Sequence, residues 1–311
     1  MIKKLFLPVG MLLAVAVTLF TAAPGVALRT FPGSESLIMV IFLVSGMQAD
    51  FRELALDRRF CALLVGGAVM TLVVAPVLTF ELLNLLGFDP MLGTGLLVIM
   101  AAPPTLSSGI VITMTAGGSI MLALAITVIY NLLAVASMPL LLPLLLDETA
   151  VAASGALTML WKLVLLVLLP FAIGALVRKI HPKRHWLVDY VPLVATVLVV
   201  WSFLGGAREM MLAVPVLTLL FTLLLCGVLH LLLLAALAGT GLILKAGRME
   251  LKAMVFCGGS KTVSIALAML TIIGADSGTA VLPCLGFYLL QMLIDSFLAL
   301  RVGLRDDRNS G

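Results

Sequence analysis

Charged side chains are scarce in this chain of 311 residues, since Asp, Glu, Lys and Arg together make up only 11% of it. Soluble domains carry roughly 25% of these residues. Hydrophobic residues reach 63%, against roughly 45–50% in soluble domains. A soluble fold needs more polar surface than this composition provides, and a disordered chain needs more charge. The composition therefore predicts an integral membrane protein.

Recognisable catalytic, metal-binding and nucleic-acid-binding motifs are also missing. The sequence contains no nucleophile elbow, zinc-protease motif, Walker A loop or dinucleotide fingerprint. No basic stripe with interleaved aromatics indicates a nucleic-acid partner. The cysteines lie far apart with no CxxC pair, which argues against a zinc site and a disulfide framework: Cys61, Cys226, Cys257 and Cys284. We therefore expect a non-enzymatic protein without a resident cofactor, and not an ATP-driven pump.

Apolar runs of the length that spans a bilayer, about 20 residues, occur along the whole chain. They are continuous rather than alternating, which favours membrane helices over barrel strands. The longest polar connection, Arg178–His185, leaves no room for a soluble domain. We predict one all-α polytopic membrane domain over residues 1–311, with ten spans at about 5–27, 36–49, 60–86, 91–116, 119–146, 155–178, 188–206, 211–240, 251–273 and 277–300.

The first span has features of a secretory signal peptide, with two lysines before an apolar run. This run, from Leu5 to Ala23, is longer than the usual apolar region of a signal. Its removal would also leave an odd number of spans. We therefore expect it to be retained as the first membrane helix.

The basic residues lie almost entirely on one side of the predicted topology. With the N-terminus inside, that side holds 15 of the 19 Lys and Arg residues, whereas the other side holds Arg29 and Arg208. Lys162 and Lys261 lie within spans. Positive charge accumulates on the cytoplasmic side of membrane proteins. The count therefore supports ten spans in the cytoplasmic (inner) membrane, with both termini in the cytoplasm.

Ten spans divide into two repeats of five, at about 1–147 and 155–303. An odd number of spans per repeat forces opposite orientations, as in many secondary transporters. Spans 4 and 9 each contain a break rich in Gly, Pro and hydroxyl residues, at Pro103–Gly109 and Cys257–Ser264. Unwound backbone at membrane depth has to be buried in protein or line a cavity. The paired breaks indicate a transport site, although ordinary kinks with small-residue helix packing would also explain them.

Lys261, inside the break of span 9, is the foremost candidate for a functional side chain, because a charge inside a bilayer is costly and usually functional or paired. Three roles are open to it: holding a substrate anion, pairing with a carboxylate, or standing in permanently for a bound cation. Asp295 on span 10 is the leading candidate for the carboxylate, unless it sits near the inner surface. His230 on span 8 fits either a hydrogen-bonded core histidine or a proton relay.

Neutral polar residues cluster in spans 4, 5 and 9. Their oxygens, together with backbone carbonyls freed at the breaks, suit a hard cation or a polar ligand. Any single Ser or Thr could instead bond to its own preceding helical turn, whereas Asn131 needs partners for four hydrogen bonds. With the two residues above, the predicted substrate- or ion-binding set comprises Pro104, Thr105, Ser107, Ser108, Thr127, Asn131, Ser260, Lys261, Thr262 and Asp295.

These motifs together resemble the bile acid:sodium symporter family, and more closely its bile-acid-symporter-like (SBF-like) branch. The resemblance covers nearly the whole chain and is carried by Phe42–Met47 with Phe51–Leu54, Pro104–Gly109 with Gly117–Ser119, Asn131–Leu133 with Pro139, and Gly258–Thr262. It implies ten helices in two inverted repeats, a panel of helices 1, 2, 6 and 7, and a core in which helices 4 and 9 cross at their breaks. It also implies alternating access and organic anion substrates, including bile acids.

The sequence departs from the sodium-coupled members of that family. Those members use Glu and Gln in the ninth-helix break and Asn in the fourth, at positions occupied here by Phe256, Ser260 and Ile110. Thr127 retains a family threonine. Na+ is the coupling ion that the resemblance implies, but a sodium ion held without a carboxylate would bind weakly, and Lys261 offers a positive charge in its place.

The sequence as a whole predicts a secondary transporter that moves a small organic anion across the membrane. The alternative is a membrane scaffold that keeps the fold and binds a lipid or a protein partner without transport. A cavity between spans 4 and 9 favours the first interpretation, and a filled crossing favours the second.

Overall fold

The computed structural model describes residues 2–48, 58–105, 108–146, 155–180, 190–275 and 278–309. All regular structure in these ranges is helical. The first seven helices are α1 (Ile2–Phe20), α2 (Ala23–Leu28), α3 (Ser34–Gln48), α4 (Arg58–Leu86), α5 (Pro90–Ala101), α6 (Ser108–Thr115) and α7 (Ile120–Leu145). The next six are α8 (Ala156–Ile180), α9 (Val191–Ala213), α10 (Val216–Ile243), α11 (Arg248–Gly259), α12 (Val263–Ile272) and α13 (Val281–Asn309).

Seven of the described segments are long and apolar enough to cross a membrane. They are α4, α7, α8, α9, α10, α11 together with α12, and α13. An eighth is added if α1 and α2, which bend by 113° between them, count as one span. The structure is therefore that of a multi-pass membrane protein.

The three remaining predicted spans are shorter or interrupted for local reasons. The span predicted at 5–27 is bent where α1 ends at Phe20, because Pro24 opens α2 and is suited to a helix start rather than a helix interior. The span predicted at 36–49 corresponds to α3, which has 15 residues. The span predicted at 91–116 is divided into α5 and α6 by the expected break.

Five helices, α1, α2, α3, α8 and α9, pack against one another and form a group that we call the panel. Its helices approach closely at glycines. Gly46 of α3 faces the Phe171 carbonyl of α8, and Gly174 of α8 faces the Leu43 carbonyl of α3. A side chain at either glycine would collide with backbone, so these positions set the spacing of the two helices.

The other eight helices, α4–α7 and α10–α13, form a second group that we call the core bundle. Within it α10 packs on α11 and α13, and α13 packs on α5 and α6. The α11–α12 segment is the most deeply buried of the seven spans. The panel meets the core bundle where α8 contacts α7 and where α3, α8 and α9 contact α12, so the break between α11 and α12 lies beside this boundary.

The bend between α1 and α2 leaves carbonyls at the end of α1 without helical partners. Arg208 of α9 satisfies two of them, because its guanidinium donates to the Thr18 carbonyl at 2.7 Å and to the Leu19 carbonyl at 2.9 Å. A cation at a helix C-terminus also interacts favourably with the helix dipole. Arg208, one of the two basic residues on the sparsely charged side of the predicted topology, therefore caps the C-terminal end of α1.

Candidate functional site

Both predicted breaks are present, and the backbone is extended at each. Ala102 ends α5 with φ −66° and ψ 148°, and Ser260 ends α11 with φ −69° and ψ 149°. Thr262, just before α12, has φ −91° and ψ 117°. Pro103 and Pro104 follow Ala102, and neither has an N–H to continue a helix. Each break frees backbone groups inside the protein, which then need partners from elsewhere.

The two breaks meet in a direct contact that we call the crossover, formed by residues 102–105 and 260–262. The Thr262 N–H donates to the Pro103 carbonyl at 2.8 Å, and the Thr105 N–H donates to the Ser260 hydroxyl oxygen at 3.3 Å. Ser260 in turn donates to the Cys257 carbonyl at 2.8 Å. The crossing predicted from the family resemblance is therefore a hydrogen-bonded contact between the two unwound segments.

The Thr105 hydroxyl closes the start of α6. It accepts from the Gly109 N–H at 2.9 Å and from the Ser108 hydroxyl at 2.8 Å. A side-chain oxygen that accepts from the first free N–H groups is the usual way a helix N-terminus is satisfied. Ser107, also a predicted site residue, lies outside the described residues.

Lys261 is fully buried in the crossover, and its ammonium group is held by backbone oxygens. It donates to the carbonyls of Met100 at 2.6 Å, Thr71 at 2.9 Å and Ala102 at 3.0 Å. We call these three oxygens the carbonyl cage. Two of them come from the C-terminal end of α5, where helix carbonyls lack intrahelical partners and the dipole favours a cation. The three donors of the ammonium are thus all used within the protein.

Gln291 of α13 is a crossover residue that sequence reasoning missed. Its carboxamide binds the backbone of Lys261 on both sides, accepting from the Lys261 N–H at 2.8 Å and donating to the Lys261 carbonyl at 2.7 Å. Both groups are fully buried. The sequence did offer one indication of its role, because the chain has only two glutamines and Gln291 places a polar amide inside an apolar run.

Asn131 and Thr127 of α7 contact the backbone and side chains at the two breaks. The Asn131 amide donates to the Pro104 carbonyl at 2.9 Å and to the Thr127 carbonyl at 2.6 Å. The Thr127 hydroxyl donates to the Ala123 carbonyl of its own helix at 2.8 Å, which is the alternative given above for any single Ser or Thr. The same hydroxyl lies 3.2 Å from the Cys257 sulfur. These two residues position the break between α5 and α6.

Asp295 does not join this group. Its carboxylate pairs with His230 of α10, with Oδ1 lying 2.8 Å from the imidazole Nε2. The expected pair between Asp295 and Lys261 is therefore wrong, because helix-end carbonyls rather than a carboxylate satisfy the lysine. Asp295 is fully buried on α13, and the alternative position near the inner surface stays a prediction.

A pocket lies on one side of the crossover, between the panel and the core bundle. Its volume is about 30 Å³, which is room for a water molecule or two. Ser108 and Val263, the first residues of α6 and α12, both line it. Hydroxyl side chains dominate its wall, which consists of Ile41, Ser45, Thr105, Ser108, Pro192, Leu193, Thr196, Thr262, Val263, Ser264 and Tyr288. Of the predicted site residues, three thus reach this pocket: Thr105, Ser108 and Thr262.

The model of the SBF-like CPA transporter family matches residues 5–303, nearly the whole chain. Two curated rice proteins are 27% identical over 313 residues, covering 94% of this chain and 74% of their own length. Both are named probable sodium/metabolite cotransporter BASS4, chloroplastic, from the indica and japonica subspecies of Oryza sativa. These similarities point to a non-enzymatic transporter of the bile acid:sodium symporter type, as the sequence motifs suggested. The chain belongs to the SBF-like CPA transporter family.

Proposed function

We propose that this protein is a secondary transporter that moves a small organic anion by alternating access through the pocket beside the crossover. The observation that carries the proposal is the position of that pocket. It lies between the panel and the core bundle, and the first residues of two helices, α6 and α12, line it. A site at such a boundary opens to either side of a membrane when one group of helices moves against the other.

The chemistry of the pocket favours an anion. Its described lining contains no Asp or Glu, and it carries hydroxyl groups of Thr262, Ser264 and Tyr288 from the core bundle. The Ser45 and Thr196 hydroxyls of the panel donate to the Ile41 and Pro192 carbonyls of their own helices, so the donors that remain for an anion lie on the core bundle. The N-terminal ends of helices carry free N–H groups and partial positive charge, which attract anionic groups. A carboxylate is the substrate group that best matches these features.

The proposed architecture has ten spans arranged as two inverted five-helix repeats, at about 1–147 and 155–303, in a single domain over residues 1–311. The matched breaks between α5 and α6 and between α11 and α12 support it. We place the protein in the cytoplasmic membrane with both termini in the cytoplasm, because 15 of its 19 basic residues fall on one side.

We further propose that Lys261 takes the place of a coupling sodium ion. The rice relatives are named as sodium cotransporters, yet in this chain a tethered ammonium already occupies three backbone oxygens of the kind that coordinate cations. No described Asp or Glu contributes to this cage. Uptake that is equal in sodium and choline buffers supports this proposal, and uptake that requires sodium contradicts it.

Transport assays with purified, reconstituted protein test the proposed function. The probes are radiolabelled monoanions of increasing size, from acetate to taurocholate, with empty liposomes as the reference. We expect uptake of at least one probe, and we expect Thr262→Val to reduce it about tenfold, because a hydrogen bond to a charged group contributes about 1.5–3 kcal/mol.

Thr240→Val is the matched control, because the Thr240 hydroxyl bonds only the Ala236 carbonyl of its own helix, away from the pocket. It should leave uptake unchanged. Folded protein that transports none of the probes, or a Thr262→Val variant with full uptake, contradicts the proposed function or its site.

A further inference from the structure

A second set of ionisable groups lies inside the core bundle, away from the pocket. His230 is near the middle of α10 and Asp295 is on α13, and both side chains are fully buried. Imidazole Nε2 and carboxylate Oδ1 are 2.8 Å apart. We call these two residues the His–Asp pair. Neither of them lines the pocket or contacts the carbonyl cage, so the proposed transport site gives them no role.

The His–Asp pair keeps two polar atoms without a hydrogen-bond partner. His230 Nδ1 and Asp295 Oδ2 are both buried and unpaired among the described residues. The imidazole instead meets the Phe287 ring edge to face, at 5.5 Å between centroids. Most buried polar atoms in proteins are hydrogen-bonded. A pair that shares one hydrogen and leaves a lone pair on each partner is equipped to accept another proton.

Few other ionisable groups face this pair. The packed helices α5, α6 and α12 contain no Asp, Glu, Lys, Arg or His. The remaining titratable or charged residues on α1, α4, α9, α10, α11 and α13 are Lys3, Lys4, Arg58, Arg59, Cys61, Glu81, Arg208, Glu209, Cys226, Arg248, Glu250, Lys252, Cys257, Cys284, Tyr288, Arg301, Arg305, Asp306, Asp307 and Arg308. The charged members of this set lie towards the ends of their helices, whereas Lys261 lies at the break between α11 and α12, inside the core bundle.

The net charge inside the core bundle depends on whether the His–Asp pair has bound a proton. With His230 neutral, Asp295 and Lys261 cancel, and a bound monoanion gives the bundle a net charge of −1. With one proton added to the His–Asp pair, the same loaded bundle is neutral. Moving a neutral group of helices within the low-dielectric membrane interior costs less free energy than moving a charged one. Proton uptake at the pair therefore favours movement of the loaded protein.

We propose that the His–Asp pair is the binding site of a coupling proton, and that the protein is an anion:proton symporter. This inference rests on the proposed function of anion transport. One proton from water adds to His230 Nδ1 on the side where substrate enters, and the pair changes from a charge of −1 to neutral as imidazolium beside carboxylate. The same proton leaves to water on the opposite side, and no electrons are transferred.

The geometry connects the proton site to the crossover. Asp295 follows Gln291 by one turn of α13, and the Gln291 amide holds the backbone of Lys261 on both sides. A shift of α13 as the pair gains or loses a proton therefore acts directly on the residue in the carbonyl cage. Since both partners belong to the core bundle, a proton bound at His230 Nδ1 moves with that bundle.

Infrared difference spectroscopy of the purified protein tests the proton site without any substrate. Spectra between about pH 5 and pH 8, the range in which histidine changes charge, report both imidazolium and protonated carboxyl groups. We expect a pH-dependent imidazole band in the wild type, and its loss in His230→Gln and Asp295→Asn. Asp89→Asn is the matched control, because Asp89 is an exposed helix cap and Asn caps equally well.

Two results would overturn the proton site. One is a folded Asp295→Asn protein whose difference spectrum equals that of the wild type. The other is a folded His181→Gln, His185→Gln protein, whose remaining histidine is His230, in which the labelled imidazole does not respond to pH. The second measurement leaves the His–Asp pair intact, so it decides the question even if both variants of the pair fail to fold.

Uptake of taurocholate under an imposed pH gradient separates this inference from the proposed function. We expect an alkaline interior to increase the initial rate in the wild type, and this stimulation to be lost in Asp295→Asn. Uptake that ignores the gradient in the wild type contradicts proton coupling while anion transport stands. If folded wild-type protein takes up neither taurocholate nor the smaller probes, the proposed function fails, and the infrared result still decides whether the pair binds a proton.

Discussion

At the scale of single residues, the position of Lys261 could be predicted from the sequence, but its partners could not. A lysine inside a Gly- and Ser-rich break of an apolar span is visible in the sequence alone. Its three partners are backbone oxygens on α4 and at the end of α5, about 160–190 positions away along the chain. Backbone carbonyls have no sequence signature, so the carboxylate of Asp295 was the natural but wrong expectation.

Lys261→Met should make the stability of the protein depend on sodium. The apolar side chain leaves the three carbonyls of the cage without a donor, and each such buried group costs about 1–3 kcal/mol. A sodium ion that enters the cage restores part of this loss. We expect a lower melting temperature in choline chloride than in sodium chloride for the variant, and no difference for the wild type, measured by thermal unfolding in detergent.

Lys162→Met is the control for that measurement, because Lys162 is exposed on α8 and contributes nothing to the cage. A wild type that sodium itself stabilises would contradict the view that the ammonium already fills the cation position.

Gln291→Leu should destabilise the crossover more than a surface amide would. The substitution leaves the N–H and the carbonyl of Lys261 unpaired in a dry interior, which corresponds to about 1–3 kcal/mol for each group. We expect a clear loss of thermal stability, whereas Asn84→Leu, at an exposed position of α4, should change it little. Equal melting temperatures for the two variants would show that the Gln291 clamp is unimportant.

At the scale of helices, the sequence predicted most of the segments but not their bends. Every predicted span has a helical counterpart among the described residues. The break in span 4 was expected because two prolines are adjacent, and the break in span 9 because two glycines precede a serine. The 113° bend between α1 and α2 was not expected, because a single Pro within an apolar run is also compatible with a kinked continuous helix.

Gly46→Ala and Gly174→Ala should separate α3 from α8. In each case the added methyl group would meet a backbone carbonyl of the facing helix, of Phe171 or of Leu43, which has no freedom to move away. Overpacking of this kind costs about 1–3 kcal/mol. Thermal unfolding should show a lower melting temperature for both variants than for the wild type. Gly227→Ala provides the comparison, since a methyl group there meets nothing within 4 Å and alanine favours the helix.

At the scale of the whole molecule, the division into panel and core bundle matches the grouping that the family resemblance implied. Composition and charge distribution alone could not have given this division, since apolar residues face both lipid and protein in a membrane bundle. The contact between the two breaks was expected from the family resemblance and not from local sequence patterns, because the segments that meet lie 155 positions apart along the chain.

Cross-linking the panel to the core bundle should stop transport and leave substrate binding intact. Leu132 of α7 and Leu168 of α8 both line a second small cavity at the boundary, and neither lines the proposed pocket. In a Cys61→Ser background, we expect a bifunctional methanethiosulfonate, which joins two thiols through reducible disulfides, to block uptake by the Leu132→Cys, Leu168→Cys protein, and reduction to restore it.

Ser34→Cys with Ser202→Cys is the matched pair for this experiment, because the two hydroxyls are 3.0 Å apart within the panel. A disulfide there should leave uptake unchanged. Full transport by the protein cross-linked across the boundary would exclude movement of one group against the other.

The carbonyl cage also has a consequence for how this family could diversify. Its oxygens belong to the backbone, so the cage persists whatever side chains surround it, and only the occupant is encoded at position 261. Lysine codons are one nucleotide away from codons for asparagine, glutamine, threonine and methionine. A single point mutation can therefore remove the ammonium from the cage. On the proposed role of Lys261, such a mutation would make transport dependent on an external cation without rebuilding the fold.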